Sequence, residues 1–338
     1  MPTKERENSS EESNETSEES NHKSEEFAIS SGANQKCPPS YLEIPREELE
    51  QAHFYDASVL TLTSKIRTFV SQAVAYESMS PTYLLIDQGN SRLKIALATD
   101  ERIYPTRLYP EPPTSDQLLE LIHSCELPAQ PLHAIYSSVG EREAPWLAPI
   151  KSICQLFVTL DAETPLPLAE IQYDRQCLGV DRIASVIGVA QLTSAPSLII
   201  DIGTAITYDL LLPERRYIGG NISPGPELRL QALHDYTARL PRVPWSGIQS
   251  HLDLWNQELG EQTNQAIWLG VARSIVHEID SYVEGLRKCY PSLEVWITGG
   301  YASDFVKWLK YPTFVESNLV ERGLRDILQY QAARSCDS

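Results

Sequence analysis

Two segments 114 residues apart in the chain share one pattern. Leu85-Ile86-Asp87-Gln88-Gly89-Asn90-Ser91 and Ile199-Ile200-Asp201-Ile202-Gly203-Thr204-Ala205 each run from apolar residues into Asp-x-Gly, then into a second apolar stretch. A spacing this long is no solenoid period; it marks two related halves. An apolar run ending on Asp-x-Gly reads as a buried strand that delivers a carboxylate to a tight turn. The glycines let a ligand approach the backbone closely. Asn90, Ser91, Thr204 and the turn amides offer donors to phosphate oxygens. Two carboxylates repel a polyphosphate unless a cation intervenes, which calls for Mg²⁺. Lys94 adds a positive charge toward the same phosphates. One Asp-x-Gly alone is usually only a turn; two, each between apolar strands, point to a nucleotide site. No G-x-x-x-x-G-K-[ST] is present, so the site is not a P-loop.

The rest of the chain reads as α/β. Strands are expected at Tyr83–Ile86, Leu93–Ala98, Ala134–Val139, Leu198–Ile200, Ile206–Leu212 and Val295–Thr298. Gly179–Leu192 reads as a helix with Ile183, Ile187 and Ala190 on one face, and Gln265–Tyr290 as the longest helix, packing within the subunit or across an interface. Gly219-Gly220 and Pro224-Gly225 read as turn formers that either line a site or shape a loop. Gly299-Gly300 reads as a close approach to an adenosine group or as a plain strand–helix turn.

Residues 1–36 are Ser, Glu and Asn with few large apolar side chains, a composition expected to stay disordered. Nine Glu against three Lys/Arg give residues 1–26 a charge of −6, out of −18 for the chain. Leu60, Ile66, Phe69, Val70 and Val74 form a loose helical stripe beyond Pro38, Pro39 and Pro45. The two methionines are Met1 and Met79. Translation from Met79, directly before the first strand, is therefore one expectation, and a real disordered extension is the other. The acidic balance disfavours a nucleic-acid partner. No run reaches the ~18 apolar residues of a membrane helix, and the acidic N-terminus resembles neither a secretory signal nor a transit peptide. Six scattered cysteines without C-x-x-C fit reduced thiols in a cytoplasmic setting. The seven histidines do not cluster, and no spacing suggests structural zinc.

Read in order, Asp87-Gln-Gly-Asn-Ser-Arg-Leu-Lys94, Gly179-Val-Asp-Arg182, Asp201-Ile-Gly-Thr-Ala205, Gly219-Gly-Asn-Ile-Ser-Pro-Gly225, Thr237-Ala-Arg-Leu-Pro241 and Thr298-Gly-Gly300 resemble the type III pantothenate kinase family, over roughly residues 82–329. The resemblance implies two ribonuclease-H-like halves of the actin/Hsp70/sugar kinase superfamily, with boundaries expected at 1–80, 81–195 and 196–332. It implies ATP-dependent phosphorylation of pantothenate to 4′-phosphopantothenate, the first step toward coenzyme A, with a monovalent cation (K⁺ or NH₄⁺) and a homodimer. By the same resemblance Asp87, Gln88, Gly89, Asn90, Ser91, Arg92, Leu93, Lys94 and Thr204 hold ATP, and Asp201 binds the monovalent cation. Tyr173, Gly179, Val180, Asp181, Arg182 and Thr237 contact pantothenate, with Asp181 as the proton acceptor.

Residue chemistry runs parallel to this. A carboxylate at a helix N-terminus is favoured as the anion, so Asp181 suits proton acceptance from a primary hydroxyl, with positioning worth more than basicity. Arg182 suits a substrate carboxylate, or a plain ion pair. Thr237 follows a helix and offers its hydroxyl, or simply ends that helix. The chain departs from the family at Ser91 (usually Thr), at Gly140 (usually Pro) and in Tyr173–Leu178, which lacks the expected Asn-Pro turn. A non-catalytic regulator like the Bvg accessory factor is the alternative on the same fold; intact Asp87, Asp181 and Asp201 weigh against it.

Overall fold

The computed structural model describes residues 81–89, 92–125, 132–140 and 144–337. The acidic extension, the helical stripe before it ends, Met79, and the turn residues Asn90 and Ser91 lie outside the described residues.

The first half is built on strands β1 (Thr82–Gln88), β2 (Leu93–Ala98), β3 (Arg107–Tyr109), β4 (Leu132–Ser138) and β5 (Leu156–Thr159), with helices α1 (Ser115–Ser124) and α2 (Ala148–Ile153). Its sheet runs β3-β2-β1-β4-β5; β2 is antiparallel to both neighbours, and β1, β4 and β5 are parallel. The chain then forms β6 (Glu170–Ile171), α3 (Val180–Ala190), β7 (Ser197–Ile202), β8 (Ala205–Leu212), β9 (Arg216–Pro224), α4 (Pro226–Asp235), α5 (Leu252–Trp255), α6 (Thr263–Arg287), β10 (Glu294–Thr298), α7 (Ala302–Phe305), β11 (Phe314–Val315) and α8 (Leu319–Asp337). The second sheet runs β11-β10-β7-β8-β9-β6. Leaving out β6, its order is that of the first sheet, and β8 is again the antiparallel return strand. Both halves are ribonuclease-H-like, and the two Asp-x-Gly turns occupy the same place in each.

Alternation along β1 explains the layering. Leu84 and Ile86 face a core with Leu118, Leu121 and Ile150 from α1 and α2, while Tyr83 and Leu85 face α3 and α8. Ile199 and Leu211 of the second sheet meet α3 and α8 from the other side. The opposite face of that sheet packs Ile200, Ile202 and Tyr208 on Ile275 and Ile279 of α6. Each fully buried aliphatic side chain in these layers contributes about 1.5–3 kcal/mol. Gln262 and Gln265 cap the start of α6 reciprocally.

Helices α3 and α8 touch backbone to backbone. A Cβ on Gly188 would overlap the Leu319 carbonyl oxygen, and one on Gly323 would overlap that of Ala184. This contact returns the C-terminal helix to the first sheet and fixes what its first turn faces.

One expectation fails. Gly219-Gly220 is not a loop but lies inside the nine-residue strand β9. Gly219 has φ +129°, next to the register shift at Leu210/Leu211, where a bulge needs a residue without Cβ. Gly220 pairs with Asp209, and a Cβ there would overlap the Tyr208 carbonyl oxygen. Two glycines in a row thus mark a close packing inside a strand.

Candidate active site

Strand β1 carries Asp87 to its C-terminal end, buried, and β2 returns Lys94 opposite it in register. Lys94 Nζ stands 3.6 Å from Asp87 Oδ2. On the other flank Ser137 of β4 is the register partner of Asp87 and donates its hydroxyl to Oδ1 at 3.3 Å. The Tyr136 hydroxyl donates to Gln88 Oε1 at 2.5 Å, and the Gly89 amide donates to the Arg92 carbonyl at 3.1 Å, closing the turn. Arg92 is exposed and Leu93 buried.

In the second half Asp201 stands near the end of β7 with Thr298 of β10 beside it in register. Gly299, at φ +98°, follows; a Cβ there would overlap Asp201 Oδ1 and lie 2.5 Å from the Ile202 carbonyl oxygen. The Gly225 amide donates to the Thr204 carbonyl at 2.9 Å. Bare backbone therefore surrounds Asp201, and Thr204 is exposed at the turn.

Asp181 lies in the first turn of α3, its Oδ1 accepting the Arg182 amide at 2.9 Å. A Cβ on Gly179 would sit 2.6 Å from that oxygen, so the glycine makes room for the carboxylate. Val180 is half-buried at the helix start.

These groups act on one another. Burial pushes the Asp87 carboxyl up to about 7; the Lys94 charge opposes that, and Glu321 and Asp181 add to it. Burial likewise raises Asp201 to about 6, again against Lys94 and with help from Asp181 and Glu321. Burial works against the Lys94 charge, but Asp87, Glu321 and Asp201 outweigh it and hold its pKa above the ordinary lysine value. The structure thus gathers Asp87, Lys94, Asp181 and Asp201, far apart in sequence, into one electrostatic cluster.

Arg182 is buried and takes a different partner from the others. Its Nη2 lies 2.6 Å from Asp209 Oδ1, and its Nε donates to the same carboxylate at 3.1 and 3.2 Å. The Tyr217 hydroxyl accepts from Nη2 at 3.2 Å and donates to Asp209 Oδ1 at 2.6 Å. The Tyr173 ring faces the guanidinium, 5.1 Å from ring centre to Cζ. Thr237 is exposed at the end of α4; its hydroxyl donates to the Leu233 carbonyl at 2.6 Å and accepts the Leu240 amide at 3.3 Å. Among the described residues it shares no hydrogen bond with Asp181, Arg182 or Asp201.

Sequence reading missed Asp209, Tyr217 and Glu321. Asp209 sits within the apolar run Ile206–Leu212, where a buried charge needs a partner. Glu321 lies on the apolar stripe of α8, three and seven residues before Leu324 and Leu328, and is 4% exposed. The Thr106 hydroxyl donates to its Oε1 at 3.2 Å.

A sequence model of the type III pantothenate kinase family matches residues 83–285. The chain is 38% identical over 248 residues to the type III pantothenate kinase of Porphyromonas gingivalis, covering 73% of this chain and 98% of that one. It is 34% identical to the enzyme of Bacteroides fragilis over 252 residues (74% and 99%) and 32% identical to that of Cytophaga hutchinsonii over 249 residues (73% and 98%). The chain belongs to the type III pantothenate kinase family.

Proposed function

We propose that this chain transfers the γ-phosphoryl group of ATP to the primary hydroxyl of pantothenate, giving ADP and 4′-phosphopantothenate. The observation that carries the reading is Asp181. It stands at the head of α3, close enough to Asp87 and Asp201 to repel the charge of both.

In this reading the turn from Asp87 to Lys94 and the turn at Thr204 hold ATP. Asn90 and Ser91 belong to the same phosphate-binding turn by the family pattern. Lys94 meets the phosphate charge that develops during transfer, and such a preorganised cation is worth more where water is excluded. Asp181 accepts the hydroxyl proton and orients the oxygen for in-line attack; positioning and charge stabilisation supply most of the rate. Arg182, Tyr173, Gly179, Val180 and Thr237 hold pantothenate, with Arg182 on its carboxylate.

The cluster suits hard cations. Asp87 and Asp201 are carboxylates whose protons are held by burial and by the nearby charges of Asp181 and Glu321, and oxygen donors of this kind are what Mg²⁺ and K⁺ prefer. Asp87 would hold Mg²⁺ together with the ATP phosphates, neutralising their charge. Asp201, among the backbone at Ile202, Gly203 and Gly299, would hold the monovalent cation.

The protein acts as a homodimer in this reading. Ile222, Leu228 and Tyr236, the last next to Thr237, are large apolar side chains left exposed, and side chains of this kind suit burial against a second copy. No helix among the described residues is long and apolar enough to cross a membrane, and a cytoplasmic setting fits a biosynthetic kinase. Pantothenate-dependent ADP release, measured with and without K⁺, tests the reading; K⁺-dependent turnover is expected, and its absence with pantothenate would leave the regulator.

A further inference from the structure

The Arg182–Asp209–Tyr217 group does more than satisfy a buried charge. Burial opposes the guanidinium charge and Asp209 outweighs that cost. Asp209 and Tyr217 occupy Nε and Nη2, one whole edge of the guanidinium. Gly220, the register partner of Asp209, keeps this edge open: a Cβ there would lie 2.6 Å from Asp209 Oδ1 and 2.8 Å from Arg182 Nη2. Tyr173 lies over the guanidinium and Gly219 backs the Tyr173 ring, where a Cβ would come within 3.3 Å. The geometry leaves Nη1 as the nitrogen that Asp209 and Tyr217 do not take, and the Tyr173 side chain is a further hydrogen-bond partner of the guanidinium.

A fixed orientation matters because Arg182 directly follows Asp181. Asp87, Asp181, Asp201 and Glu321 make this region strongly acidic, and an arginine released from its clamp would be drawn to Asp181, silencing the proton acceptor. A pair already neutralised by Asp209 stays in place whether or not substrate is present.

We propose that Asp209, with Tyr217, is a positioning residue for the substrate carboxylate: it holds Arg182 at Nε and Nη2 so that Nη1 meets pantothenate, and keeps it off Asp181. This rests on the reading of Arg182 as the pantothenate contact.

Steady-state kinetics of Asp209→Asn, Tyr217→Phe, Arg182→Met and the Asp209→Asn/Arg182→Met double variant test it, with KM for both substrates. Tyr217→Phe removes one hydroxyl and keeps the ring, so KM for pantothenate should rise about threefold; Asp209→Asn, which loses a charge-assisted bond, should raise it about tenfold. KM for ATP should stay within about twofold in both. In the Arg182→Met background the Asp209 change should add no further rise, since a residue acting through another is not additive with it. Unchanged KM for pantothenate in Tyr217→Phe and Asp209→Asn, with a rise in Arg182→Met, rejects the clamp and keeps the Arg182 reading. A fully additive double variant also rejects the clamp. Unchanged KM in Arg182→Met rejects the Arg182 reading itself. Should Asp209→Asn not fold, Tyr217→Phe decides.

Discussion

Lys94 stands 3.6 Å from Asp87 across the register of the first hairpin, and its ammonium also acts on Asp201 at the head of the second sheet. One cation therefore ties the two Asp-x-Gly turns together. Lys94→Ala removes the positive charge between the two turns, proposed to meet the ATP phosphates, and leaves Asp87 and Asp201 uncompensated. The kcat/KM for ATP should fall about 100-fold or more, measured by ADP release at saturating pantothenate.

The raised carboxyls make stability depend on pH. Asp87 and Asp201 bind their protons more tightly folded, at about 7 and about 6, than unfolded, at the ordinary 3.8. Below that ordinary value both states are protonated and the two groups contribute nothing. As pH rises the unfolded chain loses the protons first, so stability falls, down to a floor above about 7. Melting of the ligand-free protein at pH 5.5 and pH 8 should show this loss, and Asp87→Asn and Asp201→Asn, which cannot ionise, should flatten it. An unaltered slope in both variants would count against the shared acidic site.

Glu321 presses on this cluster from α8. It raises Asp87 and Asp201 and helps hold Lys94 charged. Glu321→Gln keeps an oxygen for the Thr106 hydroxyl and removes the charge. The acid limb of kcat/KM for ATP should move to lower pH, with the fold unchanged by circular dichroism.

Gly220 allows no side chain. In Gly220→Ala the new methyl group would overlap the Tyr208 carbonyl oxygen and crowd the Arg182–Asp209 pair. The backbone of β8 and β9 must part, and a loss of roughly 2–4 kcal/mol is expected, read as a lower urea midpoint.

Much of this was legible in the chain, for definite reasons. The Asp-x-Gly turns announced themselves because each follows an apolar strand and recurs; Asp181 stood out through the family motifs around it, since a carboxylate opening an amphipathic helix is by itself an ordinary cap. β9 was hidden because Gly219-Gly220 breaks both alternation and propensity, and only packing against Tyr208 and Asp209 shows why glycine belongs inside a strand. Asp209 and Tyr217 could be read as ordinary strand residues until β8 and β9 were paired. Glu321 lies 140 residues beyond Asp181 in the chain. What brings it to the site is the glycine contact of Gly188 and Gly323, a tertiary fact with no local signal.

In the proposed reaction Asp181 accepts the proton of the pantothenate hydroxyl. Asp181→Asn keeps the shape and removes the base. Pantothenate-dependent ADP release should fall by about 100- to 10,000-fold, with ATP binding and the melting transition retained. Turnover within a few-fold of the unaltered protein would remove Asp181 from that role.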